Sequence, residues 1–347
     1  MSTNTQKPLI QALRGKSQKI APAWMMRQAG RYLPEYREVR KGAGDFLKLC
    51  YTPSLAAEVT LQPIRRYQFD AAIIFSDILV IPDALGQNVA FKTGEGPVLE
   101  AIRDDEGLQN LDLDGVIRHL EPVFEALDRV AGELPDETAL IGFCGAPWTV
   151  ATYMVGGRGS ADQKEARLWA YRDKEGFSRL IDLLVEASIL YLCRQVDAGA
   201  EVLQIFDSWA GSLPPEEFYK WCQVPMQSLV KGVKAVHPDI PIIGFPKGCG
   251  ELYKGYVEKT GIDGVSIDTS MPVSWAKENL QGKVTVQGNL DPLAVVAGGE
   301  IMAGAVRNIL QTLDGGPFIF NLGHGLIPET PPENVQTVLD IIRNNDV

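Results

Sequence analysis

Arg27 and Arg31 stand one helical turn apart and open a basic run, with Arg37, Arg40 and Lys41 following. From Arg27 to Lys41 there are five basic and two acidic residues, a local charge of +3 in a chain of −11. Arginine presents a planar fork that grips carboxylate or phosphate through two parallel hydrogen bonds. Arg27 and Arg31 therefore read as anion ligands. Arg37 and Arg40 read as a solvated helical face, paired with Glu35 and Glu38. Asp77 closes an apolar run after Ser76, and a carboxylate there is equally a site residue or the cap of the following turn. Asp207-Ser208 and Asp268 pose the same choice. Tyr153, in TVATYMVGG, reads as a loop residue, and position alone favours core packing for it. Of three histidines, His119 and His237 fit exposed helical patterns. His324, in NLGHG, has glycine on either side and reads as functional, free to switch charge near its ordinary pKa of about 6.5.

Several chemistries lack their residues. No CxxC, HxxH or HxC pattern offers zinc a ligand set, and no GxSxG marks a serine nucleophile. A carboxylate pair for glycoside hydrolysis is compatible with the sequence but leaves the arginines without a purpose.

The elements that must carry these groups are short apolar runs, each closed by a polar residue or glycine: 22–27, 71–77, 139–145, 201–207, 241–246, 264–269, 284–289 and 318–323. Most are continuous rather than alternating, as in strands covered on both faces of a parallel sheet. Helix starts lie between them, with Asp291 capping ahead of Pro292 and a capping box at Thr330–Glu333. Strands alternating with helices require right-handed crossovers, and eight such units predict a closed α/β barrel, the (β/α)8 or TIM fold, active at the carboxyl ends of its strands. Long gaps between the first four strands predict extra helices and loops at the mouth. An open doubly wound sheet would place a glycine-rich phosphate loop after its first strand, where the chain instead reads RQAGRYLPEYR. No linker divides the sequence, so residues 1–347 read as one domain, with 1–10 as a flexible tail.

A net charge of −11 opposes nucleic acid and anionic membrane as partners. Five scattered cysteines read as reduced thiols of a cytoplasmic protein, and the amino terminus shows no secretory signal. The uncharged stretch Ala139–Gly157 is long enough for a membrane span, but Pro147, its glycines and Tyr153 suit a buried strand entering a loop.

The strings PAWMMRQAGRYLPEYR (22–37), FSDIL (75–79), GFCGAPWT (142–149), FDSWAG (206–211) and FNLGHG (320–325) together resemble the uroporphyrinogen decarboxylase family, in order along the whole chain. The resemblance implies a (β/α)8 barrel forming a homodimer with facing clefts. It implies removal of CO2 from the four acetates of uroporphyrinogen III, an octacarboxylate, to give coproporphyrinogen III, with neither metal nor organic cofactor. Carried over by position, the family's binding residues are Arg27, Gln28, Ala29, Gly30, Arg31, Phe46, Asp77, Tyr153, Ser208 and His324, with Arg40 near the site in some members. Asp77, Arg27, Tyr153 and His324 carry the catalytic roles. Two readings compete: a zinc-dependent methyltransferase of the same barrel superfamily that moves methyl groups from corrinoids to thiols, and a tetrapyrrole carrier without activity.

Overall fold

The computed structural model describes residues 7–92 and 94–344. Nine strands follow one another as β1 (Ala71–Ile73), β2 (Val89–Lys92), β3 (Gly96–Leu99), β4 (Ala139–Gly145), β5 (Val202–Asp207), β6 (Ile242–Pro246), β7 (Gly264–Ser266), β8 (Thr285–Leu290) and β9 (Phe318–Leu322). Seven of them pair in parallel in the order β1-β4-β5-β6-β7-β8-β9. The eighth stave is the extended segment 22–26. Ala23 bridges to Phe320 of β9 on one side, and its carbonyl accepts from Asp70 N–H (3.0 Å) ahead of β1 on the other. The run predicted as the first strand thus closes the barrel with few ladder bonds, because the Asp70 carboxylate takes the Ala23 N–H (2.8 Å).

Continuous burial explains the continuous apolar runs. Every residue of β4 is buried, one face inside the barrel and the other under helices. Trp24, Ile141, Val202, Ile243, Phe245 and Ile319 form the inner cluster. Among them lies a polar layer in which Trp24 Nε1 donates to Gln287 Oε1 (2.8 Å) and Gln287 Nε2 to Gln204 Oε1 (3.1 Å). Ser266 Oγ accepts from both glutamines. Satisfied in this way, the layer avoids the cost of about 1–3 kcal/mol for each bare buried polar group.

The amino-terminal expectation needs correction. Residues 1–6 lie outside the described residues, but 7–10 are not a tail: Pro8–Leu13 is a helix with Leu9, Ile10 and Leu13 buried against the inner cluster. Thr285 Oγ1 donates to Ala12 O (2.6 Å), and Lys7 pairs with Glu201 (2.6 Å), so this helix plugs the barrel floor.

Between β1 and β4 the chain inserts the antiparallel hairpin β2–β3 along with short helices. The uncharged stretch 139–157 is β4 followed by the helix Pro147–Gly156, and among the described residues no helix is long and apolar enough to cross a membrane. Asp291 caps its helix as expected, accepting from Leu293 N–H (2.9 Å). The expected box at Thr330 is not made. The helix starts at Pro332, which puts the cap position on Pro331 rather than Thr330, and the Thr330 hydroxyl is buried without a partner.

Candidate active site

The carboxyl ends of the parallel strands meet at one mouth, and most of the polar residues singled out above arrive there. Asp77 follows β1. Its Oδ1 accepts from Leu79 N–H (2.9 Å), while Oδ2 accepts from no protein donor among the described residues. The two readings of Asp77 therefore combine: one oxygen caps the turn and the other stays available. Burial pushes its pKa up to about 6, against the pull of the capping bond and of Arg27.

Arg27 is exposed, and its backbone takes a left-handed φ of 60° that turns the chain out of the stave. Only close contacts hold such a conformation in a residue with a side chain. At Gly325, a Cβ would stand 2.6 Å from Arg27 Cγ and 2.9 Å from its Nε. At Gly30, a Cβ would stand 2.9 Å from Arg27 O. Gly323 likewise has no room beside Thr269. The glycines flanking His324 therefore serve close approach rather than backbone freedom, since neither has positive φ.

Gln28 is 0% exposed and spends its amide on the chain, accepting from Met25 N–H (3.3 Å) and donating to Ala71 O (3.1 Å). Ala29 and Gly30 are half-buried, and the N–H groups of Ala29, Gly30 and Arg31 meet no protein acceptor among the described residues. Successive bare N–H groups beside two guanidiniums suit a carboxylate. Arg31 is exposed. The expected pairing of Glu35 and Glu38 with the basic run is not found, because Glu35 forms a two-pronged pair with Arg66 (2.7 and 2.9 Å) from another helix. Arg37 donates to the carbonyls of Arg31 and Tyr32 (2.9 and 3.1 Å). Arg40 donates to Gly44 O (2.9 Å) and lies over the Phe46 ring, 5.9 Å from its centroid.

Two aromatic groups supply apolar surface. Phe46 packs on Phe91 of β2 (4.6 Å between centroids) and on Phe75 (5.8 Å). In the barrel top, Phe143, Phe206, Phe245 and His324 form a chain of rings with centroids 5.7, 6.3 and 6.5 Å apart.

Tyr153 lies on the helix Pro147–Gly156, not in a loop; Pro147 starts that helix and Gly157, at φ 72°, ends it. Burial raises its phenol pKa, while the Trp209 indole N–H pulls it down and Asp77 and Arg27 both act on it. The Trp209 N–H is buried and reaches the phenol by a contact looser than a full hydrogen bond. Ser208 is half-buried directly after β5. His324 is half-buried, and burial together with Arg27 and Lys247 lowers its pKa to about 4 although Asp268 opposes them. It is therefore neutral at pH 7 and does not switch there, which corrects the expectation drawn from its ordinary value.

The other strand-end carboxylates hold structure. Asp207, 1% exposed, accepts from Thr149 Oγ1 (2.5 Å), and Thr149 in turn accepts from Trp209 N–H (3.1 Å). Burial lifts its pKa to about 6. Asp268 accepts from Gly248 N–H (2.8 Å), Tyr253 Oη (3.1 Å) and both donors of Ser270; burial pushes its pKa up, but these bonds outweigh it and leave the value low. His119 Nε2–H donates to the Asp83 carboxylate (2.7 Å), and His237 stands near Asp197. Lys247 and Trp209 are site residues that the sequence patterns above do not single out. The signal for Lys247 was present, since it directly follows the run PIIGFP as Arg27 follows PAWMM.

A parallel barrel that collects a free carboxylate, two arginines, a tyrosine and a neutral histidine at its strand ends belongs to the (β/α)8 enzymes. Among solved structures, a methyltransferase from Methanosarcina mazei superposes with a TM-score of 0.82 over 100% of both chains at 19% identity, a likeness of fold. Residues 4–345 match the profile of the family described as uroporphyrinogen decarboxylase (URO-D). Similar proteins named uroporphyrinogen decarboxylase include one from Rhodospirillum rubrum, 53% identical over 98% of each chain, and one from Brucella anthropi, 54% identical over 97% of this chain and 98% of that one. The chain belongs to the uroporphyrinogen decarboxylase family.

Proposed function

We propose that the protein is a carboxy-lyase that removes CO2 from the four acetate side chains of uroporphyrinogen III, giving coproporphyrinogen III. Beyond family membership, the observation that carries this reading is the half-buried Asp77, with one oxygen uncommitted and the Arg27 cation acting on it, at the carboxyl end of the barrel. Loss of CO2 from an acetate on a pyrrole needs an electron sink. Protonation of the ring carbon that bears the adjacent bridge makes the pyrrole an iminium-like cation. The C–COO⁻ bond then breaks, its electron pair flows into the ring, and a neutral exocyclic enamine remains. A proton added at the methylene and one lost from the ring carbon leave a methyl group, so each cycle consumes one proton and releases one CO2.

Asp77 Oδ2 is the acceptor for the pyrrole N–H groups and the counter-charge for the pyrrolium. Hydrogen bonds to the ionised form pull a carboxyl pKa down, so bound substrate keeps Asp77 charged at neutral pH. Tyr153, its phenol pKa raised, stays protonated and donates. Neutral His324 donates one ring N–H to a substrate carboxylate, and Arg27, Arg31 and the Ala29–Arg31 N–H groups take others, each charge-assisted bond contributing about 1.5–3 kcal/mol. Phe46 provides an apolar wall for the macrocycle. Gln28 acts by holding the 25–28 turn, and Arg40 by fixing Phe46.

Among the described residues no three His, Cys, Asp or Glu groups converge as a metal would require. We include in the proposal a cytoplasmic homodimer with facing clefts, supported by family resemblance and tested by sedimentation equilibrium. Function is tested by anaerobic incubation with freshly reduced uroporphyrinogen III and a chelator, separating oxidised products by carboxyl number. Stepwise loss from eight carboxylates to four is expected. Unchanged substrate would overturn the reading, leaving a carrier if it binds; activity that disappears with the chelator would point to the zinc enzyme.

A further inference from the structure

One cation at the mouth remains without a task. Lys247 follows β6, and the register Asp207↔Pro246 brings it alongside Ser208 at the end of the neighbouring strand. Its main chain is fixed on three sides. The N–H donates to Asp207 O (3.1 Å) and Phe245 O (3.0 Å), and the carbonyl accepts from Gly211 N–H (3.0 Å). Gly211 and Gly248 clamp the two strand-end loops, since a Cβ on Gly211 would stand 2.6 Å from the Gly248 carbonyl carbon. The half-buried Lys247 side chain finds no carboxylate within 4.0 Å and donates no hydrogen bond among the described residues. Other lysines of comparable burial do pair: Lys7 with Glu201 and Lys234 with Asp263. The obvious local partner, Asp268, is saturated by Gly248, Tyr253 and Ser270. A tethered, half-desolvated ammonium left unpaired in a chain of charge −11 is a carboxylate receptor awaiting its ligand.

We propose that Lys247, together with Ser208 and His324, forms a carboxylate subsite of the mouth, and that Lys247 is a substrate-binding residue for one side-chain carboxylate of the bound tetrapyrrole. The proposal rests on the function proposed above. It also gives neutral His324 a purpose. The groups facing this imidazole are Arg27, Lys247 and Asp268, with the Phe245 ring packed beside it. Two cations and burial keep its proton off, so it pairs with the lysine as a neutral donor, adding no third charge.

Binding that is equal in ground and transition states appears in KM and not in kcat. Lys247→Met is expected to raise KM for uroporphyrinogen III about tenfold to a hundredfold, the factor one charge-assisted bond represents, with kcat within about threefold. Lys247→Arg, which keeps the charge, should restore KM to within about threefold, and Lys247→Gln serves should the methionine variant not fold. Titration of the His324 imidazole by NMR gives a readout independent of turnover: its pKa should rise from about 4 in Lys247→Met and stay low in Lys247→Arg. Wild-type protein that fails to decarboxylate would overturn the function itself. Wild-type turnover with KM unchanged in the Met and Gln variants, or an imidazole that titrates alike in all of them, would overturn the Lys247 subsite alone.

Discussion

Replacing Asp77 by asparagine should separate activity from stability, and in opposite directions. Asparagine keeps an oxygen to accept from Leu79 N–H, the 2.9 Å bond that fixes the turn, so the fold should survive. What it removes is the charge. A carboxylate about 4 Å from a unit positive charge contributes roughly 4 kcal/mol at an effective dielectric near 20. Acting on the pyrrolium-like transition state, that is about a thousandfold in kcat. The same charge costs the resting protein something. Burial raises the Asp77 pKa from its ordinary 3.8 to about 6, about two units at 1.36 kcal/mol each, or up to roughly 3 kcal/mol. A carboxyl with a raised pKa binds more protons folded than unfolded, so its contribution is fully present below pH 3.8 and is lost as pH rises through 6. Asp77→Asn should therefore equal wild type in stability near pH 4 and exceed it by up to about 3 kcal/mol at pH 8. Anaerobic turnover followed by carboxyl-resolved chromatography measures the first effect, and urea unfolding at the two pH values the second. A variant with kcat within about tenfold of wild type would remove Asp77 from charge stabilisation. Identical stability at pH 8 would show that the carboxylate is not held in a desolvated place.

Gly325→Ala should act through Arg27. The added methyl would stand 2.6 Å from Arg27 Cγ, the flexible side chain must swing away, and kcat/KM should fall about tenfold or more while stability changes by less than about 1 kcal/mol. Retained kcat/KM would mean that Arg27 works from more than one position. Asp207, nearly fully buried with its pKa lifted to about 6, should take up to roughly 3 kcal/mol from the fold between pH 4 and pH 8. In Asp207→Asn that pH dependence of urea unfolding should flatten, and an unaltered slope would place the titration elsewhere.

The sequence alone determined the barrel and the approximate place of the site. Apolar runs such as ALIGFCG, buried on both faces, leave few options other than a parallel sheet, and the residue that closes each run marks the mouth. Asp77, Ser208 and His324 could be placed this way because chain order fixes which end of a parallel strand they occupy. Local pattern also located helix starts such as Asp291-Pro292. It places Tyr153 in a loop, because its glycines read as leaving room for close backbone approach, whereas they end a helix that carries Tyr153.

What the tertiary structure decided are the pairings between distant segments and the states of buried groups. Glu35 left its own helix for Arg66, since a two-pronged pair across helices outcompetes a solvated neighbour. Residues 8–13, a short apolar run (PLIQAL) behind a polar start, became the floor of the barrel because an open end exposes apolar surface that an adjacent short helix can cover. His324 is neutral near pH 7 because burial and two cations from remote parts of the chain converge on it, and no spacing in the sequence records that meeting. Lys247 depended on the same kind of fact: a lysine after a strand is common, and only the folded protein shows that every nearby carboxylate is already taken.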